Sequence, residues 1–594
     1  MPAARSKRQR DPWLPWFAAS IVAVVWALAA LAFVTFNLID DDEPRVLAGE
    51  STPPADTTPP PGAVAGLTYA GFLPSTAAAL GLRQAAEGAV PDIEFAREAS
   101  GGVVIRYFVP VASLGAGVDS LSSDELRRLM AGEITDWAEV GGIPGDVTTA
   151  VASHDDLQAY ARTVFGAAAQ GGDPRPVEME GYDELRRAMT VDSRILAIIP
   201  IEELGPEMVA IALDGIDIAR GTGDPALWPL AERVEVLGRT DRGKAQVEAI
   251  KDAIAARLPE VITVVATGDV LQSRCSLAAI RATGDWAAAL RGPVGEYLAA
   301  ADLALSSLDG SIQGIAEPYG CIETTNLTSP PEVVQALTLA GIDEMTLATN
   351  HAFDCADGGC GSDALLESMK HLHAAGIKTV GGGKNLEEAL APAIFEVKGV
   401  RFGVLGFDDI AAEHLQATDS EPGTAPLDDS YEDERADPPE EPAFYKSADL
   451  LGVTRLQERI RDLKQQVDVV IVQVQSGTED THIPSPRSIK ALRAAAAAGA
   501  DLVVGNQAHW VQAVELRGNS FVAYALGNFI FDQRWTPEHT QGYLLEATFH
   551  GKKLATVRMV PYQIQDRYRP AFVQGEVRAK ILGDVIAAYA SIPD

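Results

Sequence analysis

Short apolar runs alternate with amphipathic stretches along most of the chain. VVIRYFVPVA (Val103–Ala112) and RILAIIPI (Arg194–Ile201) have the length and the branched apolar content of buried strands. The stretch SSDELRRLMAGEI that begins at Ser122 has apolar residues at helical spacing, and Ser122 or Ser123 can cap the helix. This alternation predicts an α/β fold, with one α/β region over residues 64–256 and a second over residues 257–580.

The longest apolar stretch lies near the amino terminus. Residues 13–39 carry no charged side chain, and about 20 apolar residues are enough to span a bilayer. A basic tail, residues 1–11, precedes the stretch and acidic residues follow it. This pattern predicts a single-pass transmembrane helix over residues 12–39, with a cytoplasmic amino terminus and all later domains outside the cell membrane. The alternative is a cleaved signal peptide, whose apolar core is typically about 7 to 15 residues long.

Two further segments have no pattern of a folded core. Residues 40–63 are rich in Thr and Pro, which predicts a stiff linker between the membrane and the first region. Residues 420–442 combine prolines with acidic side chains, which predicts a disordered, solvated insertion in the second region. The net charge of -35 argues against nucleic acid as a partner, because the chain and the phosphates would repel each other.

Apolar runs of the second region repeatedly end in polar side chains. The carboxyl ends of strands in an α/β sheet are where ligands bind, so we expect these side chains to converge. Carboxylates, amides and imidazoles are ligands for Mn, Fe or Zn, and such metals can activate water. The predicted metal ligands are Asp269, Asp309, Asn350, His351 and His509, and Gln475, Glu479, Gln507 and Asn528 end other runs.

Each of these residues also has a simpler interpretation. His351 alone could be a buried histidine that completes a hydrogen bond, with Asn350 capping a turn. Asp354, three residues after His351, can orient the loop that follows. The other histidines, including His539, are expected to lie at the surface or to complete local hydrogen bonds.

Six segments of the second region resemble the CapA family of poly-γ-glutamate capsule synthesis proteins. The resemblance covers about residues 260–575 and implies a calcineurin-like metallophosphoesterase fold, an α/β/β/α sandwich of two sheets flanked by helices. It also implies a role in the synthesis or export of an anionic cell-surface polymer. A membrane polymer synthase is the partner expected if the protein is a scaffold. The segments are GD (268–269), ADLALSSLD (301–309), LATNHAFDCADGG (347–359), GIKTVGGGKNLEEA (376–389), AGADLVVGNQAHWVQAVE (498–515) and FVAYALGNFIFD (521–532).

The family's site residues are matched only in part. The resemblance implies catalytic roles for His351, His509 and Glu479, and the residues that match family motifs are Asp269, Asn350, His351, Glu479 and His509. The departures are Ser307 for Asn, Asp309 for Glu, Gln475 for His, Ser476 for Trp and Gln507 for His.

The lost histidines leave two hypotheses open. Neutral imidazole binds these metals much better than an amide does, so the substitutions weaken at least one metal position. His482 is close enough in sequence to Gln475 to be considered as a replacement ligand. The second region is then either an altered metal-dependent hydrolase or a catalytically silent domain that binds a solute or docks a synthase.

The first region resembles the phosphate-binding type of periplasmic solute-binding domain. The resemblance rests on VVIRYFVPVASLGAGVDSLSSDELRRLMAGEITDWAEVGG, residues 103–142, and implies a small ligand held between two lobes. Ser75 and Ser122 are candidate ligand-binding residues, and the alternative is that they are ordinary caps. SHDD, residues 153–156, stands where a phosphate-binding motif is expected, and its two carboxylates would repel phosphate.

The four cysteines are expected to lie in an oxidising compartment. Cys355 and Cys360 are close enough in sequence to form a disulfide, which leaves Cys275 and Cys321 as the other possible pair. The alternative is four free, buried thiols.

Overall fold

The computed structural model describes residues 64, 66–98, 101–153, 176–314, 320–321, 327–355, 359–428 and 452–593. The predicted tail, transmembrane helix 12–39 and linker 40–63 lie outside these residues and stay predictions. Within the described ranges, no helix is long and apolar enough to cross a membrane.

The strands of the first region form one mixed sheet. Its centre is the eleven-residue strand Val103–Ser113, whose second half is buried throughout because apolar groups cover both faces. Ile195–Pro200 pairs with it antiparallel and is also fully buried. In sheet order the strands are Arg83–Gln84, Thr68–Gly71, Ile93–Glu98, Ala231–Gly238, Val103–Ser113, Ile195–Pro200, Thr148–Val151 and Val177–Glu178, with Met208–Ala210 paired to Val103–Ser113. A separate parallel pair joins Ser120–Leu121 to Ala212–Leu213.

The second region contains two larger sheets. In the first of them, four neighbouring strands run parallel and the carboxyl-terminal strands add on antiparallel. The order is Lys378–Val380, Glu344–Thr346, Leu303–Leu308, Val261–Val270, Gln541–His550, Lys553–Gln565 and Arg569–Phe572, with Asn528–Ile530 paired to Val261–Val270. The order in the second sheet is Ala393–Val397, Val400–Asp408, Val469–Gln475, Leu502–Asn506, Ser520–Ala523 and Val514–Arg517.

Helices cover the outer faces of these sheets. The α-helices of the first region are Ser123–Met130, Tyr182–Val191, Asp241–Lys244 and Val247–Ile254. Those of the second region are Arg274–Thr283, Pro293–Ala299, Val334–Leu339, Asp363–Ala374, Leu386–Ala389, Thr454–Lys464, Pro486–Ala497 and Gly575–Tyr589. The 3₁₀ helices are Ser75–Leu80, Leu114–Ala116, Trp137–Val140, Ile201–Glu203, Pro225–Leu227, Pro331–Val333, Glu413–Leu415 and Glu538–Thr540.

Three hydrophobic cores make the second region a layered sandwich. One core lies between the two sheets and joins Leu305 and Leu545 of one to Phe402 and Ile471 of the other. The other two cores lie between each sheet and the helices outside it. The layers are therefore helix, sheet, sheet and helix, which confirms the predicted α/β class.

The two regions share a buried, charged contact. Glu546, which is 1% exposed, accepts hydrogen bonds from the guanidinium of Arg220, from the Tyr297 hydroxyl and from Arg558 Nη2, the last at 3.1 Å. Arg558 Nη1 lies 3.7 Å from Asp217 Oδ2. We call these five residues the inter-region cluster. Arg220 and Asp217 belong to the first region, so burial of the cluster holds the two regions together.

The first residues of the predicted disordered insertion, 420–442, are ordered in the structure. Gly423–Thr424 pairs antiparallel with Gly382–Gly383, and Ala425 and Leu427 are fully buried. Residues 420–428 are thus part of the fold, because this short run has apolar side chains that the core accepts. Residues 429–442 lie outside the described ranges.

Candidate functional site

Both sheets bring strand ends to one place. Asp269, near the end of Val261–Val270, pairs in register with Ser307 on one side and with Asn528 on the other. Gln507 follows Leu502–Asn506 of the opposite sheet, and its backbone N–H donates to Asp269 Oδ2 at 3.3 Å. Strand ends from the two sheets therefore bring together residues 238 positions apart. We call Asp269, Asp309, His351, Glu479 and His509 the strand-end cluster.

Two buried carboxylates lie at the centre of the cluster. Asp269 and Asp309 are each 1% exposed. Burial and the charge of Asp309 raise the pKa of Asp269 to about 7, although His509 acts in the opposite direction. The Thr349 hydroxyl donates to Asp309 Oδ1 at 2.7 Å, but Asp269 Oδ1 and Asp309 Oδ2 are buried without a donor. Unsatisfied buried carboxylate oxygens are costly, so this pair favours a proton or a cation between them.

His351 carries positive charge among acids. Its Nδ1 lies 2.7 Å from Asp354 Oδ2, and the backbone N–H of Leu327 donates to the same oxygen at 2.6 Å. Burial lowers the pKa of His351, but the charge of Asp309, the hydrogen bond to Asp354 and the charge of Glu479 outweigh it and raise the pKa to about 9. The expected orienting role of Asp354 agrees with this contact.

The disulfide Cys355–Cys360 closes the loop that follows Asp354, and Cys275–Cys321 forms the second bridge. Both predicted pairs are therefore present. Asp354 also accepts, through its backbone oxygen, from Gln313 Nε2 at 2.6 Å. The loop after His351 is tied down by covalent and hydrogen bonds together.

His509 is oriented by a neighbouring amide. Asn528 Nδ2 donates to Gln533 Oε1 at 3.0 Å and to the His539 carbonyl at 3.1 Å, so its Oδ1 is the acceptor. That Oδ1 lies 2.9 Å from His509 Nδ1, which therefore carries the proton. His509 Nδ1 is also 3.9 Å from Asp269 Oδ2. The tautomer leaves Nε2 with a lone pair for a cation or a proton.

Gln475 and Gln507, which stand where the family resemblance implies histidines, bond to each other. Gln475 Nε2 donates to Gln507 Oε1 at 2.9 Å, and Gln507 Nε2 donates to Glu479 Oε1 at 3.2 Å. Gln507 has a φ of 95° and His509 a φ of 57°, a backbone region that residues other than glycine seldom adopt. Such strain is concentrated at functional sites. The Gln507 oxygen is therefore occupied by an amide and not presented to a ligand.

The strand-end cluster contains atom types that bind metals, but its side chains are not arranged as a metal site. Asp269 Oδ1, Asp309 Oδ2 and His509 Nε2 are the atom types that bind Mn, Fe or Zn. Among the residues with described positions, however, no three His, Cys, Asp or Glu side chains lie close enough together to form a metal site. Asn350 is joined to this group through Thr349, whose hydroxyl lies 3.4 Å from Asn350 Oδ1.

His482 does not replace a lost ligand. Its Nδ1 lies 2.7 Å from the Val511 carbonyl, its Nε2 is 3.6 Å from Asp584 Oδ2, and its ring packs on Trp510. Both ring nitrogens point to partners outside the strand-end cluster. A short distance in sequence to Gln475 was therefore a misleading signal, because the intervening loop turns the side chain away.

The candidate residues of the first region are separate from this cluster. Ser122 Oγ accepts from the backbone N–H of Glu125 at 3.2 Å, and the Glu125 carboxylate accepts from the backbone N–H of Ser122 at 2.8 Å. This reciprocal pair caps the helix Ser123–Met130, which agrees with the alternative prediction that Ser122 is an ordinary helix cap. Ser75 begins the 3₁₀ helix Ser75–Leu80, and residues 154–156 lie outside the described ranges.

His539 and Trp510 were not expected near the site. His539 is 1% exposed, and the indole N–H of Trp510 donates to its Nδ1 at 3.3 Å. The prediction of a local hydrogen bond for His539 is confirmed, whereas a surface position is not. Their only sequence signal was proximity to the strand-end residues His509 and Asn528.

Comparison with known proteins finds a family match within the second region. Residues 263–533 match the family "Bacterial capsule synthesis protein PGA_cap". The chain is 28% identical over 241 residues to the capsule biosynthesis protein CapA of Bacillus anthracis, covering 41% of this chain and 52% of that protein. It is 27% identical over 234 residues to the PGA biosynthesis protein CapA of Bacillus subtilis, covering 39% of this chain and 53% of that protein.

The chain spans about half the length of these curated relatives. Among solved structures, an ABC-type phosphate transport receptor from Vibrio cholerae overlays on 28% of this chain and 74% of its own, with 13% identity and a TM-score of 0.24. We draw nothing from so low a score. Residues 263–533, which carry the strand-end cluster, are similar to the bacterial capsule synthesis protein PGA_cap family.

Proposed function

We propose that this protein takes part in the synthesis or export of a carboxylate-rich cell-surface polymer of the poly-γ-glutamate type. The observation that carries the proposal is that the strand-end cluster, in which His509 Nδ1 lies 3.9 Å from Asp269 Oδ2, lies wholly within the matched residues. The two CapA relatives, named for capsule and PGA biosynthesis, support it.

The cluster has the parts of a hydrolytic site. A divalent cation held by the partnerless oxygens of Asp269 and Asp309 would polarise a phosphoryl or carbonyl oxygen. His351, protonated at neutral pH and fixed by Asp354, can donate a proton to a leaving group. Glu479 accepts from Gln507 with one oxygen and can receive a proton on the carboxylate.

Calorimetric titration of the detergent-solubilised full chain with Mn, Fe(II) and Zn tests cation binding. We expect binding that Asp269→Asn abolishes. Turnover of phosphoesters and γ-glutamyl peptides, lost in His351→Ala, would identify a hydrolase. No binding of any of the three cations would contradict the metal-dependent form of the proposal.

A second candidate is a catalytically silent scaffold that docks a membrane polymer synthase. The Gln475–Gln507 amide pair favours it, because Gln507 Oε1, at one of the positions where the family resemblance implies an imidazole, is already bonded to the Gln475 amide. Co-purification of a synthase with the full chain, without turnover and with unchanged polymer yield in His351→Ala cells, would select the scaffold. Loss of polymer in those cells, with the chain still present at wild-type level, would select the enzyme.

The site of action follows from the predicted anchor. We propose that residues 12–39 hold the chain in the cell membrane, with both α/β regions outside. A reporter enzyme that is active only outside the cell membrane should be active when it is fused after residue 63. Deletion of residues 12–39 should remove the chain from the membrane fraction. An inactive reporter at residue 63 would contradict this orientation.

The first region is proposed as a solute-binding or sensing domain that does not take phosphate. Two carboxylates in residues 153–156 carry this proposal. A thermal-shift screen of the full chain should show no stabilisation by phosphate, and clear stabilisation by it would contradict the proposal.

A further inference from the structure

One short segment joins an exposed aromatic side chain to the strand-end cluster. We call residues Gln533–Thr540 the rim segment. Its Gln533 and its His539 carbonyl both accept from Asn528 Nδ2, and Asn528 in turn orients His509. The rim segment is therefore one hydrogen-bonded residue away from a predicted catalytic imidazole.

A second link reaches the other side of the cluster. His539 Nε2 lies 2.6 Å from Asp480 Oδ1, and Asp480 is the residue that follows Glu479. Thr536 donates through its backbone N–H to His539 Nδ1 at 3.3 Å, and the Thr536 hydroxyl lies 3.1 Å from the same atom. These bonds fix the shape of the segment before any ligand arrives, which lowers the entropic cost of binding.

Trp535 is the exposed part of this arrangement. Its ring packs edge-on against His539 at 5.1 Å between centroids, yet 65% of the residue is exposed. Among the large apolar residues that the described structure exposes, it is the single aromatic one. Scattered exposed aliphatic residues need no explanation, but a tryptophan held rigidly beside a candidate site presents a flat surface for a ligand.

The charges of the rim segment leave one cation free. Asp532, just before it, is paired with Arg274, and Glu538 lies 3.2 Å from Lys580 Nζ. Arg534 is exposed, and within the described part of the chain it has no ion pair. On a chain with a net charge of -35, an unpaired guanidinium beside an exposed indole is a local site for a carboxylate.

We propose that the rim segment is a binding subsite for an amide-linked chain that carries carboxylates, with Arg534 holding a carboxylate and Trp535 packing on the adjoining methylene and amide groups. This inference rests on the proposed function and names the substrate class that the strand-end cluster would receive. Arg534 and Trp535 are positioning residues, since neither is in the cluster itself.

Binding of a decamer of γ-linked glutamate to the detergent-solubilised full chain tests the subsite. Wild type should bind, and Trp535→Ala and Arg534→Gln should each weaken binding by about tenfold. Added salt should reduce the effect of Arg534→Gln more than that of Trp535→Ala. The matched controls are Leu227→Ala and Arg187→Gln, exposed residues of the first region that should leave binding unchanged. Both rim side chains are exposed, so the variants should fold with unchanged Tm.

Three results would overturn the subsite. Variants that bind the decamer as wild type does would place the ligand elsewhere and leave the proposed function standing. A polyphosphate of similar charge that binds as tightly, with no effect of Trp535→Ala, would reduce the site to a simple anion contact. Absence of decamer binding to wild type would also overturn it, and polymer yield in His509→Ala cells would then decide separately whether the proposed function holds.

Discussion

The inter-region cluster and the strand-end cluster both bury ionisable side chains, but they balance the charges differently. In the inter-region cluster, Glu546 receives two guanidinium groups and a hydroxyl. In the strand-end cluster, the charge of Asp309 raises the pKa of Asp269, and each of the two carboxylates has one buried oxygen without a hydrogen-bond partner. A paired acid stabilises the fold, whereas an unpaired one at a strand end is kept at a cost in stability that a ligand can relieve.

Removal of a guanidinium from the paired cluster should have the largest effect. Arg558→Met leaves buried Glu546 and Asp217 short of positive charge, and we expect a loss of about 3 to 5 kcal/mol in the free energy of unfolding. Urea unfolding of the purified chain measures it. Arg569→Met, which breaks an exposed pair with Asp566, is the control and should cost less than about 1 kcal/mol. Equal, small losses would show that the inter-region cluster is not a stabilising contact.

Removal of an acid from the strand-end cluster should raise the free energy of unfolding instead of lowering it. The folded-state pKa of Asp269 is about 7, above its ordinary value of 3.8, so the folded form holds the proton more tightly and stability falls as pH rises through that window. In chelator-treated protein at pH 8, Asp269→Asn should therefore stabilise the chain, by on the order of 2 kcal/mol.

Glu546→Gln, which removes the charge that two arginines need, should destabilise it under the same conditions. Unfolding of both variants at pH 5 and pH 8 makes the comparison. If Asp269→Asn and Glu546→Gln change the free energy of unfolding in the same direction at pH 8, the two clusters do not differ in charge balance as described.

The covalent support of the strand-end cluster can be removed by itself. Cys355→Ser opens the bridge next to Asp354 and should cost about 1 to 2 kcal/mol, because the bridge encloses only a short loop. Faster hydrogen exchange at residues 351–355 should accompany it. Mass spectrometry of the unreduced wild type should find Cys355 and Cys360 joined, and free thiols there would contradict the structure of this loop.

Glu344 is a third kind of buried acid, and its replacement should change the stability of the protein least. It is fully buried between the sheets and accepts from Gln473 Nε2, and no cation from the described ranges pairs with it. Burial raises its pKa well above the ordinary 4.5, so its protonated form is the stable one and stability is lost as pH rises above that value. Glu344→Gln should add about 1 kcal/mol at pH 8 and little at pH 4. An equal effect of Glu344→Gln on stability at pH 4 and pH 8 would contradict the raised pKa of the Glu344 carboxyl.

The strand ends were predictable because the signal is local. An apolar run followed by a polar side chain marks a strand and its end in a few residues, and this was enough to select Asp269, Asp309, His351 and His509. Family resemblance added the residues expected around them, and the structure places His509 and Gln507 next to Asp269. The cysteine pairs were predictable for a similar reason, since only a few pairings of four cysteines exist.

The finer chemistry was not predictable in this way. The amide pair of Gln475 and Gln507, the outward turn of His482 and the position of Trp535 depend on how loops from opposite sheets meet. Residues 420–428 entered the core against their composition, because a short apolar run found a partner strand at Gly382–Gly383.

By itself, the sequence determined the α/β class, the order of the strands along the chain and the residues at their ends, since each depends on neighbours a few positions away. Only the tertiary structure decided which buried acids are paired and which are left without a donor. That distinction depends on side chains hundreds of residues apart, such as Arg220 and Glu546, and charge balance in a protein interior is a property of packing and not of local pattern.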